Sequence, residues 1–318
     1  MKTHRQAIKI IAVLCIFALL ALKMDWASVE NLARNISLSY TSIALLLIIG
    51  QLLLLAYRWK IFMNAEKNLI KYDIALNITV ASQLANVLFI NSVGGIVVKI
   101  ALARHYGLSI LKSICATIAD RLMTLLAIVV YAVLFLPYFK GFVPPSVLDS
   151  LIALIGVSLV IAFLSPSLLV NFMKPLIMKN RHMTSTFIYL RKIIRRSDLA
   201  GPVLATSFAG QLFYFMAVCF AAKSIGLQFE ITHLMAMLPV ITLISSLPIS
   251  FGGWGIREGA FVFWLNLVGI PAESAFLISV EIGFLGILST LIMALPALFS
   301  GKLQSVIQKA TAFRYEHG

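Results

Sequence analysis

The chain has 318 residues, 61% of them hydrophobic and 12% charged, with a mean hydropathy of +0.98. Apolar runs rather than one packed globule dominate such a composition, which excludes a soluble enzyme domain and predicts an all-α integral membrane protein. The formal charge of +14 would point to nucleic acid in a soluble chain; between apolar runs it reads as a topology signal, and no nucleic-acid partner is expected.

The first apolar run is 8–22. Lys2, Arg5 and Lys9 precede it as in a signal peptide, but "ALKMDWA" has no small-x-small cleavage site, so an uncleaved helix is expected. A turn, 23–37, balances Lys23 and Arg34 against Asp25 and Glu30 before the second run, 38–57. Residues 58–71 carry Arg58, Lys60, Lys67 and Lys71, which with the N-terminal charges puts both ends of this pair in the cytoplasm. Further runs follow at 113–137, 147–164, 202–222 and 274–299, giving six spans near the ~20 residues a bilayer requires. Between the fourth and fifth lies a basic loop, 171–201, whose core of Lys174, Lys179, Arg181, Arg191, Lys192, Arg195 and Arg196 contains no acid and is read as cytoplasmic. Anionic headgroups would suit it, although topology alone accounts for it. The tail, 302–318, with Lys302, Lys309 and Arg314, is read as cytoplasmic too, in a cell (inner) membrane protein.

Counting crossings constrains the two remaining intervals. Residues 74–107 begin inside and lead to a span that also begins inside, so they cross an even number of times. Residues 234–270 begin outside, and the last span must end inside, so they too cross an even number of times. Each has an apolar arm, a glycine pair (Gly94-Gly95 and Gly252-Gly253) and a second arm, and each is expected to be a re-entrant hairpin. The single membrane domain then divides into an inverted repeat, 1–140 and 146–301, each half holding two spans, a hairpin and one span. Such repeats place a substrate site where discontinuous helices meet near the midplane.

Lys99 and Arg257 each follow the second glycine of their pair by four positions, and Asp120-Arg121 and Glu281 lie about two turns into the next span. A helix is expected to begin near Gly255, where free amides and a basic side chain would suit a phosphate. Arg257, Lys99, Gly94, Gly95, Gly252, Gly253 and Gly255 are therefore the candidate headgroup-binding residues. Glu258, Asp120, Arg121 and Glu281 are candidate ion-pair or proton-linked residues, since an intramembrane ionisable group costs about 2.5–3.5 kcal/mol on insertion scales and marks a pathway or polar cavity. In the competing account these charges neutralise one another, Arg257 with Asp120 or Glu258 and Arg121 with Glu281, and merely close the fold. Gln83, Asn86, Asn91 and Gln211 suit hydrogen bonds between helices.

No catalytic signature accompanies these groups: the five histidines form no HExxH, and GxSxG and P-loop patterns are absent. Cys15, Cys115 and Cys219 sit in apolar segments without CxxC spacing, so no disulfide, metal site or cofactor is expected.

The stretch "PISFGGWGIRE", Pro248 through Glu258, resembles the proline, glycine-pair, arginine-glutamate signature of flippase-like membrane proteins related to the transmembrane region of lysylphosphatidylglycerol synthase. "NSVGGIVVKIALARHYGLSILKSICATIADRL" is similar to that family's other signature, a glycine pair, a basic residue, Gly107-Leu108-Ser109 and the Asp120-Arg121 pair. Ile96 stands where an acid often follows the glycines, and no proline precedes Gly94. The resemblance implies movement of an anionic, aminoacylated or glycan-linked lipid between leaflets. Synthases of the family carry a separate catalytic domain, which this chain is expected to lack, so enzyme activity is not implied. The alternative is a non-transporting scaffold or subunit that supports glycosyltransferases of envelope glycolipid synthesis.

Overall fold

The structure, a computed structural model, describes residues 24–65, 70–88, 94–139, 143–146, 148–158, 160, 196–246 and 255–299. Among these residues the regular structure is entirely helical. In chain order the helices are α1 (Trp26–Arg34), α2 (Leu38–Met63), α3 (Tyr72–Leu88), α4 (Gly94–His105), α5 (Ile110–Phe139), α6 (Leu148–Ser158), α7 (Ser197–Ser224), α8 (Ile231–Ser245), α9 (Ile256–Asn266) and α10 (Ala272–Phe299).

Four of the described helices, α2, α5, α7 and α10, are long and apolar enough to cross a membrane. They carry the expected spans 38–57, 113–137, 202–222 and 274–299. The expected span 8–22, the basic loop 171–201 and the tail 302–318 lie outside the described residues, and 147–164 is described only through α6 and Val160. Large apolar side chains face outward on these helices, Leu46 at 67%, Leu134 at 63% and Phe284 at 60% exposed. Lipid is the solvent in which such exposure carries no penalty.

One boundary differs from expectation. The second span does not end at residue 57 but continues to Met63, so Arg58 belongs to the helix and is 1% exposed. Its buried stripe, Ala44, Ile48, Leu52 and Ala56, then Trp59 and Met63, repeats at helical spacing straight through the position assigned to a loop.

The intervals 74–107 and 234–270 are each occupied by two short helices, α3 with α4 and α8 with α9. At 1.5 Å per residue they are about 25, 18, 22 and 16 Å long, all shorter than the ~30 Å hydrocarbon core. In the first pair, Gly95 lets the arms approach: a Cβ there would lie 2.5 Å from the Ser82 carbonyl oxygen. Ser82 Oγ donates to Gly95 O at 2.8 Å, and Gly95 N donates to Asn86 Oδ1 at 3.0 Å. Ile70, ahead of α3, and Leu108, beyond α4, share one apolar cluster with Trp59, Phe62 and Met63. Gly107, at φ 77°, ends α4, with Leu108 N donating back to Ala103 O at 3.0 Å.

Helices α2 and α7 form the closest pair of spans, meeting where Gly50 admits the Phe213 ring. Helix α3 packs on α2, α4 and α10, and α8 packs on α7, α9 and α5. The main core, including Phe215, Leu234, Phe261 and Ile278, lies among α2, α5, α7, α8, α9 and α10.

Candidate functional site

Helix α9 starts from Gly255, whose φ of 84° is left-handed and free of strain only for glycine. Glu258 turns back and accepts a hydrogen bond from the Gly255 amide. This satisfies one of the donors a helix leaves orphaned at its start and puts negative charge at its positive end. The same carboxylate accepts Arg257 Nε at 3.1 Å, Arg257 Nη2 at 2.7 Å and Ser279 Oγ at 3.3 Å. Glu258 is wholly buried, whereas 16% of the Arg257 side chain is accessible.

That accessible part faces a cavity of about 240 Å³. Arg257 on α9, Gln51 on α2, Gln83 and Asn86 on α3, Tyr214 on α7, and Gly283, Ser289 and Thr290 on α10 line it, so five helices contribute. The guanidinium lies directly on Gly283, where a Cβ would come within 2.3 Å of Nη2. Asn86 both lines the cavity and joins the arms of the first helix pair, its Nδ2 donating to Gln83 Oε1 at 2.8 Å while its Oδ1 receives Gly95 N. The site therefore offers one cation, several amides and hydroxyls, and a route to the outside of the protein.

Lys99 does not line this cavity. It is buried in a second cluster, its Nζ 3.8 Å from Asp120 Oδ2 and 4.8 Å from the centre of the Trp59 ring. The principal partner of Asp120 is Arg58, with Nε 2.7 Å from Oδ1. Arg58 also donates to Ser207 Oγ at 2.9 Å and Thr124 Oγ1 at 2.5 Å, while Trp59 Nε1 donates to Thr117 Oγ1 at 3.3 Å. Two cations against one carboxylate, in hydrogen-bonded and near-complete burial, join α2, α4, α5 and α7. Arg121, next in the chain to Asp120, is exposed.

Glu281 stands in a third cluster. It accepts Thr41 Oγ1 and Ser224 Oγ, each at 2.8 Å. The pairing of Arg121 with Glu281 and that of Arg257 with Asp120 are therefore not formed; Arg257 pairs with Glu258. Two amides reserved for an anion are also occupied by the protein itself, Gly95 N by Asn86 and Gly255 N by Glu258. Gly94 opens α4, while Gly252, Gly253 and Asn91 lie outside the described residues. Gln211 is buried, and its Oε1 accepts no hydrogen bond from the described residues. Among the described residues no group of three His, Cys, Asp or Glu side chains could hold a metal ion.

Sequence reasoning missed Arg58, Tyr214, Gln51, Ser289 and Thr290. The unbroken apolar stripe through Trp59 was the signal that would have placed Arg58 in a helix; nothing in the chain marks the others before α2, α7 and α10 are brought together.

Residues 6–294 match the family model described as the lysylphosphatidylglycerol synthase TM region. The chain belongs to that family. The match extends over both short-helix pairs and all three charged clusters, so the Arg257 cavity lies within the lysylphosphatidylglycerol synthase transmembrane region and is not appended to it. No curated protein and no solved structure matches the chain.

Proposed function

We propose that the protein moves an anionic, aminoacylated or glycan-linked lipid between membrane leaflets as a flippase or scramblase, with the headgroup received in the Arg257 cavity. The observation that carries this reading is the partly accessible guanidinium on the wall of a polar cavity bounded by five helices. At about 240 Å³ the cavity is smaller than the ~300–1,000 Å³ of sites that enclose a drug-sized ligand. It suits a headgroup whose chains stay in the bilayer. Arg257 is the charged contact, with Gln51, Gln83, Asn86, Tyr214, Ser289 and Thr290 as neutral partners; Lys99 has no part in it.

The proposed architecture is an inverted repeat with two re-entrant helix pairs, in which α2, α3, α4 and α5 correspond to α7, α8, α9 and α10. The packing supports this reading. Exchange of the two sets converts the contact of α3 with α10 into that of α8 with α5, the contact of α2 with α10 into that of α7 with α5, and the α2–α7 contact into itself. The proposed location is a cell membrane with both termini cytoplasmic, and no catalytic step is assigned to the chain.

A second reading has a specific observation behind it: Arg257 Nε and Nη2 are both bound to Glu258, as architecture alone would require. In that reading the protein is a non-transporting scaffold for enzymes of envelope glycolipid synthesis. Liposomes containing only the full-length protein separate the two. Labelled anionic lipid in the inner leaflet becomes accessible to an external quencher faster than in protein-free liposomes if the protein moves lipid, and at the same rate if it is a scaffold.

A further inference from the structure

The three intramembrane carboxylates have unlike surroundings. Glu258 is held by Arg257 and the Gly255 amide, and Asp120 by Arg58 and Lys99. Among the described residues Glu281, 7% exposed, meets two hydroxyls, and no described cation lies within ion-pair distance of it. The charged groups on the helices packed against α10 are engaged elsewhere or stand apart. On α1, Arg34 pairs with Glu30, and the nearby Asp25 amide donates to Glu273. On α2, Arg58 is on Asp120 and Lys60 lies over the Tyr57 ring. On α3, Asp73 is in the first turn, at the far end of the helix from the cavity residues Gln83 and Asn86. On α7, Lys223 lies over the Phe220 ring and Asp198 pairs with Arg196, and on α9 Arg257 is on Glu258.

Hydrogen counting then decides what Glu281 can be. Ser224 Oγ lies 2.8 Å from both Glu281 Oε2 and Ala221 O, yet a hydroxyl has one hydrogen to donate. Ala221 is in the last turn of α7, where carbonyls lose their helical partners. If Glu281 is ionised, Ser224 can serve the carboxylate or the carbonyl but not both. With a proton on Oε2, Glu281 donates to Ser224 Oγ, Ser224 donates to Ala221 O, Thr41 donates to Oε1, and every buried atom is satisfied. On release, the O–H bond at Oε2 breaks, the proton passes to a water molecule at the exposed edge of Glu281, and the Ser224 hydrogen swings from the carbonyl to the carboxylate.

We propose that Glu281, Ser224 and Thr41 form a proton-binding site that loads and unloads during the working cycle. The site lies just beneath one face of the bundle, where Ser37 N donates to Ser224 O at 2.8 Å and the α1–α2 and α7–α8 connections meet. It belongs to the same helix as Gly283, against which Arg257 rests, although residues two apart on a helix face nearly opposite sides. A change of charge at Glu281 thus acts on α10, an element that also lines the cavity. Its use to drive lipid movement rests on the function proposed above; the proton site itself does not.

Infrared difference spectroscopy of the full-length protein in liposomes, titrated from acid to alkaline pH, tests the site directly. A protonated-carboxyl band that disappears as pH rises is expected in the wild type and in Glu273→Gln, and is lost in Glu281→Gln. Thr41→Val and Ser224→Ala displace its midpoint by roughly half a pH unit or more, which keeps the test decisive should Glu281→Gln fail to accumulate. No such band, a band that persists in Glu281→Gln, or a midpoint indifferent to both hydroxyls overturns the proposal. In the same liposomes, an imposed pH gradient changes the rate of lipid movement in the wild type and leaves Glu281→Gln unaffected. A wild type that titrates but moves no lipid leaves the proton site standing and removes the transport reading.

Discussion

Arg257 rests on Gly283: a single added Cβ at residue 283 would stand 2.3 Å from Nη2 and 2.9 Å from both Cζ and Nη1. The obstructed atoms are the far end of a flexible side chain, so the guanidinium can swing away while the helices stay in place. Gly283→Ala is expected to shift the guanidinium off the cavity wall and to weaken, without removing, its pairing with Glu258, at about 1.5–3 kcal/mol for a charged hydrogen bond. The protein should therefore accumulate yet lose most lipid movement. Gly286→Ala, at another cavity-lining glycine with no atom within 4 Å of the added carbon, should retain both. Thermal unfolding and liposome lipid movement, measured on the same preparations, check the pair; equal activity in the two variants would separate Arg257's position from function.

The Arg58 cluster predicts a division of labour between two buried cations. Arg58→Met leaves Asp120 with a single, longer contact to Lys99, and loss of a buried partner of this kind costs about 3–5 kcal/mol. Lys99→Met keeps the Arg58 bonds and an apolar stem on Trp59, and should cost no more than about 2 kcal/mol. Detergent-solubilised melting temperatures should rank wild type, Lys99→Met and Arg58→Met in falling order. Lys99→Met should still move lipid; a stable but inactive Lys99→Met would place Lys99 on the substrate path after all.

Much of the scaffold was readable because lipid imposes long apolar runs; α2, α5, α7 and α10 carry the expected spans, and two short helices occupy each of the intervals 74–107 and 234–270. Asp120's partner was not readable. Arg58 looks like a loop charge in composition, and the contact that identifies it joins residues 62 positions apart. Lys99 was matched with Arg257 because each follows a glycine pair by four residues, yet the pair marks a break and not a helical register. The cap glycines Gly107 and Gly269, both at positive φ, are a better ruler. Asp120 and Glu281 lie thirteen and twelve residues after them, nearly equivalent, whereas Lys99 and Arg257 precede them by eight and twelve, one helical turn apart. Arg121 was misplaced for a related reason: adjacent residues on a helix point about 100° apart, so the burial of Asp120 says nothing of its neighbour.

The first short-helix pair depends on the absence of a side chain at Gly95. Gly95→Ala would force a Cβ to 2.2 Å from Asn86 Oδ1 and 2.5 Å from the Ser82 carbonyl, and the second of these is backbone that cannot turn aside. The arms must separate, breaking the Ser82 and Asn86 bonds. Overpacking of this kind costs about 1–3 kcal/mol before those bonds are counted. The variant should accumulate poorly, as seen by fluorescence-detected size exclusion; normal accumulation would mean that the arms are not held this closely.

The proposed re-entrant path of α3 and α4 predicts the labelling of introduced cysteines in a background without Cys15, Cys115 and Cys219. Exposed positions Lys71 and Ser109 should both resist an impermeant thiol reagent applied to intact cells, while exposed Ser28 is labelled. Labelling at Ser109 but not Lys71 would make this pair a true crossing and abolish the inverted repeat.

The central claim is that Arg257 serves the headgroup and not only Glu258. Removing Arg257 alone strands a fully buried carboxylate, at about 3–5 kcal/mol, and would impair the protein under either account. The informative protein is Arg257→Ala with Glu258→Gln, in which no buried charge is left unpaired and the Gln side-chain oxygen still accepts the Gly255 amide. Lipid movement by this double variant in liposomes, at matched thermal stability, is the most direct measurement. Stable protein with movement no faster than in protein-free liposomes is the predicted result; movement at the wild-type rate would show that Arg257 only neutralises Glu258 and would contradict the account.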